Sequence, residues 1–397
     1  MDERTNLLPN PGVEAGISAW LHRKSAAAGV PLSGTFELTR RCNFRCRMCY
    51  IHKGEREGDR EGELTAGQWI DLGRQAADAG MLFLLLTGGE PLLREDFPEI
   101  YTRLGRLGLS VSVNTNGSLL SRAADLFERI HPTRLNVSLY GASGQTYRAL
   151  CGADRFAQVK ENVERMIAAG IDVRLNVSVT PENGKDLEGI FAFAAAHRLH
   201  IKATSYMYPP VRAEEACGAA DARLSPEEAG RYRVKIDRLQ LPEEEFRRRL
   251  AAVAAGEIIP ADDACIDPTL QGSVSRCRAG RVGFWVDWRG GLRMCGMTPV
   301  WADLTKTGFA EGWQTVRRHT LAIRLPAVCT DCALRRMCPV CAAACYAETG
   351  DYGKKPDYLC RMTAAAAEEM RRLYREEAPA EKTVGTDLAD GEGIATD

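Results

Sequence analysis

The 397-residue sequence lacks an excess of either charge: 52 Lys and Arg stand against 53 Asp and Glu, for a formal charge of −1. So balanced a chain has no electrostatic reason to bind nucleic acid or anionic lipid. Long hydrophobic runs are missing too. Apolar stretches such as Met81–Leu86 fall far short of the ~20 residues a membrane helix requires. Met1–Pro11 is acidic and polar with no apolar core, so the segment does not read as a signal peptide and the expected location is the cytoplasm. Internal repeats are absent. With 45% hydrophobic and 26% charged residues the chain is not broadly disordered, and its length suits one large domain plus a smaller one.

Cysteine, by contrast, is abundant. Of fourteen, three fall at Cys42, Cys46 and Cys49, nine lie between Cys265 and Cys360, and Cys151 and Cys217 stand apart. A cytosolic chain with a core of its own has no need of disulfides. Clusters of thiols at short spacing therefore read as metal or iron–sulfur ligands.

Residues 34–208 alternate strand-like and helix-like segments. Apolar runs Thr35–Leu38, Leu82–Leu86, Ser110–Val113, Leu135–Leu139, Val173–Val179 and Ile201–Tyr206 predict buried parallel strands. Helical faces are formed by Phe97/Ile100/Tyr101/Leu104, Phe156/Val159/Val163/Met166 and Leu187/Ile190/Phe191/Ala194. Six βα units imply an α/β fold, either an open (β/α)6 barrel or a doubly wound sheet, with chemistry on the loops after the strands. Around this core the chain divides into an N-terminal extension (1–33), a connector with helices (209–264), a cysteine-rich module (265–361), a C-terminal helix (362–377) and a disordered acidic tail (378–397). The module reads as poor in apolar core and held together by metal, with a β-hairpin at Val282–Trp288 and Leu292–Met294 around Arg289-Gly290-Gly291. The charged run Glu243–Arg249 reads as a solvated helix face.

Cys42-x3-Cys46-x2-Cys49 leaves the first strand, and neither His52 nor a further cysteine supplies a fourth ligand at a natural spacing. Three thiolates on a 4Fe–4S cube leave one iron open, whereas a closed structural zinc site needs four protein ligands. Spacing alone leaves zinc, or a purely structural role, open. Cys42-Asn-Phe-Arg-Cys-Arg-Met-Cys-Tyr50 resembles the CxxxCxxC signature of radical S-adenosylmethionine (SAM) enzymes. The resemblance implies a partial TIM-like barrel over about residues 34–206. It also implies a cluster whose open iron is chelated by SAM, cleavage of SAM to a 5′-deoxyadenosyl radical, and Met48 against the adenine side. Thr87-Gly88-Gly89-Glu90-Pro91 after the second strand resembles the family's GGEP motif. There Gly88 and Gly89 let the backbone approach the SAM ammonium and Glu90 adds a charged acceptor. By the same resemblance Asn116, Ser138 (toward the ribose), Arg148 (toward the carboxylate) and Asn176 are further cofactor-binding candidates. Arg148 is equally readable as a solvated helix arginine.

Cys277-x12-Gly290-x4-Cys295, Cys329-x2-Cys332-x5-Cys338 and Cys360 resemble a SPASM domain, the extension of radical SAM enzymes that holds two auxiliary 4Fe–4S clusters. The resemblance assigns Cys329, Cys332, Cys338 and Cys360 to the second auxiliary cluster. Cys277 and Cys295 go to the first, with Cys265 as a further candidate. The chain departs from the pattern after Cys338. One cysteine is expected about four residues on, and both Cys341 and Cys345 are present, with Cys341 preferred. A four-cysteine zinc site on Cys329, Cys332, Cys338 and Cys341 is the alternative, and it strands Cys277, Cys295 and Cys360. Cys151 and Cys217 read as incidental thiols.

Together the two resemblances imply an oxidoreductase with three 4Fe–4S clusters and SAM that modifies a ribosomally made peptide or a protein side chain. A flavodoxin or ferredoxin would supply electrons. The 33 residues before the first strand are too few for a leader-binding domain, so a leader would be recognised by another surface or by a separate leader-binding protein. The alternatives are an enzyme acting on a small molecule or cofactor precursor such as a tetrapyrrole, and a non-catalytic iron–sulfur electron carrier. Tyr206–Pro210 with Arg212 is the expected substrate entrance.

Overall fold

The structure, a computed structural model, describes residues 11–51, 62–212, 222–257, 274–275 and 277–377, with side chains from residue 17 onward. His52, Cys217, Cys265, the acidic tail and residues 213–221 and 258–264 of the connector lie outside the described residues.

Six parallel strands follow one another in space in chain order: β1 (Ser33–Glu37), β2 (Phe83–Thr87), β3 (Ser110–Thr115), β4 (Arg134–Ser138), β5 (Val173–Ser178) and β6 (His200–Thr204). A doubly wound sheet reverses strand order at a switch point. Here no reversal occurs, and the fold is α/β, an open partial (β/α)6 barrel. Helix α1 (Pro11–Ala28) precedes β1, and the helices between the strands are α2 (Ala66–Asp78), α3 (Phe97–Gly105), α4 (Leu120–Arg129), the consecutive α5 (Gly144–Cys151) and α6 (Phe156–Ala168), and α7 (Leu187–Ala196).

The strands are not buried on both faces as their apolar runs predicted. Buried and half-buried residues alternate along β3, β4 and β5. Leu135, Val137, Leu175 and Val177 pack in the core, while Asn114, Asn136, Ser138 and Asn176 share the other face. Asn136 donates to Asn114 Oδ1 at 2.9 Å, and Ser138 stands in register with Asn176. The barrel thus has an apolar outer shell and a polar lumen.

The cysteine-rich module is not a separate body held only by metal. β7 (Gly283–Val286) pairs in parallel with β1, and β8 (Gly291–Arg293) and β9 (Ala302–Asp303) follow antiparallel, extending the sheet to nine strands. The hairpin turn falls where the glycines indicated, with Gly290 at φ +85°. Phe284, Val286, Leu292, Phe309 and Trp313 belong to the same hydrophobic core as the barrel. The last two sit on α10 (Leu304–Ala322), which docks beside α2 through Phe309 N–H to Gln75 Oε1 at 2.9 Å. The Cβ-less Gly34 of β1 admits the Phe284 ring; a methyl there would come within 2.5 Å of it. Helices α8 (Pro226–Gln240), α9 (Glu243–Ala254) and α12 (Asp357–Glu377) form a second core around Val234, Phe246, Leu250 and Met370. Glu243 and Glu245 pair with Arg247, Arg248 and Arg249 on an exposed face, as the charge pattern predicted. Among the described residues no helix is long and apolar enough to cross a membrane.

Candidate functional site

The loops after β1, β2 and β3 interlock at the carboxyl end of the barrel, and the links are backbone as much as side chain. Gly89 N–H donates to Thr39 O at 2.7 Å and Glu90 N–H to Arg41 O at 2.8 Å. A Cβ at Gly88 would lie 2.6 Å from Thr39 O, and one at Gly89 would lie 2.7 Å from Arg40 O. The two glycines are therefore required by the contact between two protein loops.

Glu90 departs from its expected role as an open acceptor. Its side chain is fully buried. It accepts from Leu92 N–H (3.1 Å), from Thr115 Oγ1 (2.9 and 3.0 Å) and from Asn116 N–H (2.7 Å). Burial, only partly offset by these three donors, pushes its carboxyl up to about 7. Glu90 braces the β2 loop to the end of β3.

Asn116 carries the brace to the cysteines. Its Nδ2 donates to Asn43 Oδ1 at 2.9 Å and reaches Cys42 Sγ at 3.7 Å, while its Oδ1 accepts from Ser118 N–H at 2.9 Å. Asn43 Nδ2 in turn donates to Ser118 Oγ at 2.8 Å. Asn43 and Ser118 carry no signal in the sequence that marks them as part of this network. Nothing in an Asn or Thr beside a motif distinguishes a brace from a surface residue.

Helix α5 anchors the cysteine loop from the other side. Arg45 N–H and Arg47 N–H donate to Cys151 O and Leu150 O, both at 2.9 Å. The Phe44 ring meets Tyr147 edge-on at 6.3 Å. Cys42, Cys46 and Cys49 are half-buried and face one space. Burial raises the Cys42 thiol strongly, and the nearby Glu90, Cys46 and Cys49 add to it. A hydrogen bond to Cys151, then burial, raises Cys46. Cys151, expected to be incidental, is thus a buried neighbour of the triplet. Tyr140, raised first by burial and then by Cys46, lines the same space and hydrogen-bonds Ser138.

Thiols held this far toward the protonated side need a cation to become ligands. A soft donor set of three sulfurs suits an iron–sulfur cube. The residues present fit such a group. Among the described residues no three His, Cys, Asp or Glu side chains converge tightly enough to hold a single metal ion. A cube is less demanding in this respect, because each sulfur binds a different iron.

Arg148 does not reach this space. It projects from α5 with its side chain 60% exposed and pairs with Asp154, because the outer face of α5 points away from the lumen. Arg212 also departs from expectation. Its guanidinium forks onto Glu37 Oε1 and Oε2 at 2.9 and 3.0 Å, donates to Gly296 O at 3.1 Å, and lies between the Tyr50 and Trp288 rings. Trp285 Nε1 donates to the same Glu37 carboxylate at 2.7 Å. Arg212 is a buried clamp between β1, β7 and the segment after β6.

The C-terminal cysteines separate into two neighbourhoods. Burial and then the Cys338 sulfur raise Cys329, with Cys332 also contributing. Cys360, raised chiefly by burial, also feels the Cys338 and Cys329 sulfurs. Cys295, pushed by burial to about 11, feels Cys341 instead. Cys345 is fully buried on α11 (Ala342–Thr349). Burial and then Cys341, Cys329 and Cys338 lift it to about 12, so it stands between the two groups. Cys277 is half-buried on the approach to β7, its sulfur accepting from Ala279 N–H at 3.4 Å.

Residues 36–194 match the radical SAM superfamily. A probable GTP 3′,8-cyclase of Sulfolobus acidocaldarius is 35% identical over 158 residues, 39% of this chain and 49% of that protein. The chain thus spans about half the length of the curated relatives it matches. Streptococcus suis SuiB bound to S-adenosylmethionine superposes with a TM-score of 0.61 at 16% identity, covering 89% of this chain and 84% of SuiB. SuiB bound to precursor peptide SuiA gives 0.60 at 15%, covering 91% and 83%. Native anSMEcpe with bound AdoMet gives 0.62 at 16%, covering 87% and 99%. At such identities these neighbours share the fold. The (β/α)6 barrel whose loops gather Cys42, Cys46 and Cys49 is a radical SAM domain.

Proposed function

We propose that the chain is a radical SAM enzyme that abstracts hydrogen from a peptide or protein substrate, with two auxiliary 4Fe–4S clusters beside the SAM-binding one. The observation that carries this reading is the sorting of thiols into three places: Cys42/Cys46/Cys49 at the barrel mouth, Cys295 with Cys341, and Cys329, Cys332, Cys338 and Cys360 together. When bound, a reduced cluster with SAM supplies a 5′-deoxyadenosyl radical able to take hydrogen from an unactivated carbon. Cys42, Cys46 and Cys49 would hold that cluster, with Asn116 donating to the Cys42 sulfur and Glu90 fixing Asn116. Ser138, Asn136, Asn114 and Asn176, on the lumen face, supply hydroxyl and amide groups to orient the nucleoside and substrate. The apolar shell behind them keeps the backbone rigid. An external one-electron donor of the flavodoxin or ferredoxin class is required.

A peptide substrate is supported by the fold shared with SuiB and anSMEcpe across the cysteine-rich part as well as the barrel. SuiB is known in complex with its precursor peptide. The second reading, action on a small molecule, is favoured by the cyclase relatives. Their similarity extends over 158 residues, about the length of the radical SAM domain alone, so it speaks to SAM binding more than to substrate.

Anaerobic reconstitution with iron counting tests the cluster assignment. About twelve irons per chain are expected from three cubes, and about four would overturn the auxiliary assignment. Formation of 5′-deoxyadenosine from SAM by the reduced chain, lost in Cys42→Ala, tests the radical chemistry; no release from the wild-type chain would leave the electron-carrier alternative. Turnover of GTP, with no hydrogen loss from short peptides encoded beside this chain, would replace the peptide reading with the small-molecule one.

A further inference from the structure

The segment after β6 brings Tyr206 and Tyr208 beside Tyr358 of α12, close to Cys341. The Tyr208 ring lies 5.0 Å from Tyr206, which lies 5.8 Å from Tyr358, two residues before Cys360. Two of the three hydroxyls have oxygen acceptors. Tyr206 donates to Glu348 Oε1 at 3.0 Å, which also receives Arg223 Nη2 at 2.6 Å, and Tyr358 donates to Leu224 O at 2.8 Å. Tyr208 is different. Among the described residues the only hydrogen-bonding partner of its hydroxyl is Cys341 Sγ, at 3.5 Å.

A neutral thiol is a weak acceptor, and a desolvated phenol would ordinarily find an oxygen. Cys341 Sγ also accepts from the Ala344 N–H at 3.4 Å, because Cys341 caps α11. A ligating sulfur at this position would thus have the backbone N–H as one donor and the Tyr208 hydroxyl in reach as a second. No donor reaches the sulfur of Cys345, one turn further on, among the described residues. The geometry therefore favours Cys341 over Cys345 as the ligand partnered with Cys295.

We propose that Tyr208 is a positioning residue that donates its hydroxyl to the Cys341 thiolate and thereby raises the reduction potential of the first auxiliary cluster. This rests on the auxiliary-cluster reading above. A ligating sulfur carries no proton, so the hydroxyl must be the donor. Reduction adds negative charge that is shared by the ligand sulfurs, and a donor fixed at that sulfur stabilises the reduced form more than the oxidised one. The second neighbourhood has no corresponding tyrosine–sulfur bond among the described residues, so the two auxiliary clusters would differ in potential.

The test is an EPR-monitored redox titration of the full, anaerobically reconstituted chain with iron counted in parallel. Tyr208→Phe should keep the wild-type iron content and move one auxiliary potential to a more negative value, and Tyr206→Phe should move neither. Replacing Tyr208 with 3-fluorotyrosine, a stronger donor of nearly the same shape, should move the same potential positive. This arm decides the matter should the Phe variant lose iron. A wild-type chain binding only about four irons overturns the auxiliary reading and this inference together. A fully loaded chain whose potentials ignore both substitutions overturns the inference alone.

Discussion

Arg212→Met should destabilise the protein by about 3–5 kcal/mol, the usual cost of removing one partner from a buried ion pair. The Arg212 side chain is 9% exposed and that of Glu37 not at all, so water cannot take over the lost interaction. The guanidinium supplies both close cationic contacts to the carboxylate, at 2.9 and 3.0 Å. Without it Glu37 keeps the Trp285 indole N–H at 2.7 Å and an otherwise uncompensated charge. Methionine preserves most of the volume between the Tyr50 and Trp288 rings, which isolates the electrostatic loss from a packing loss. Adding Glu37→Gln to Arg212→Met removes the stranded charge and retains an acceptor for Trp285. The double variant should recover part of the loss, with a coupling of about 1–3 kcal/mol. Anaerobic urea unfolding followed by circular dichroism measures both. A single variant within about 1 kcal/mol of wild type, with substrate affinity weakened instead, would refute the clamp and restore Arg212 to the substrate entrance.

Glu90 makes stability depend on pH. Its carboxyl is pushed up from 4.5 to about 7 by burial, so its contribution is fully present below about pH 4.5 and is lost as pH rises through about 7. At ~1.4 kcal/mol per pH unit the loss approaches about 3 kcal/mol. Urea unfolding of Glu90→Gln, which cannot titrate, should show that much less decline than wild type between about pH 5 and about pH 8; identical pH profiles would refute it. Phe284→Ala removes a ring buried against Phe309 (4.8 Å) and Trp313 (6.1 Å). It should cost about 3–5 kcal/mol in iron-free as well as loaded protein. A loss confined to the loaded form would mean that metal, and not the shared core, holds the hairpin to the barrel.

The sequence by itself determined the strand–helix alternation, the position of the glycine hairpin and the radical SAM motifs at the ends of the first two strands. Each of these is local: an apolar period, a turn requiring positive φ, thiols within eight residues. Strand order decided between barrel and doubly wound sheet, and it is a property of pairing, which no single segment encodes. The docking of β7 on β1 joins residues 250 positions apart in the chain, as Ser33 opposite Gly283 shows. That is why a segment dense in cysteine read as a module without a core. Glu90, Arg148 and Arg212 look alike in sequence, as charged residues in or after a βα unit. Only burial and the direction of each side chain made the first a brace, the second a surface ion pair and the third a clamp. Tertiary structure likewise set Tyr208 against Cys341, because a hydroxyl 133 residues from its sulfur leaves no periodic trace in the chain.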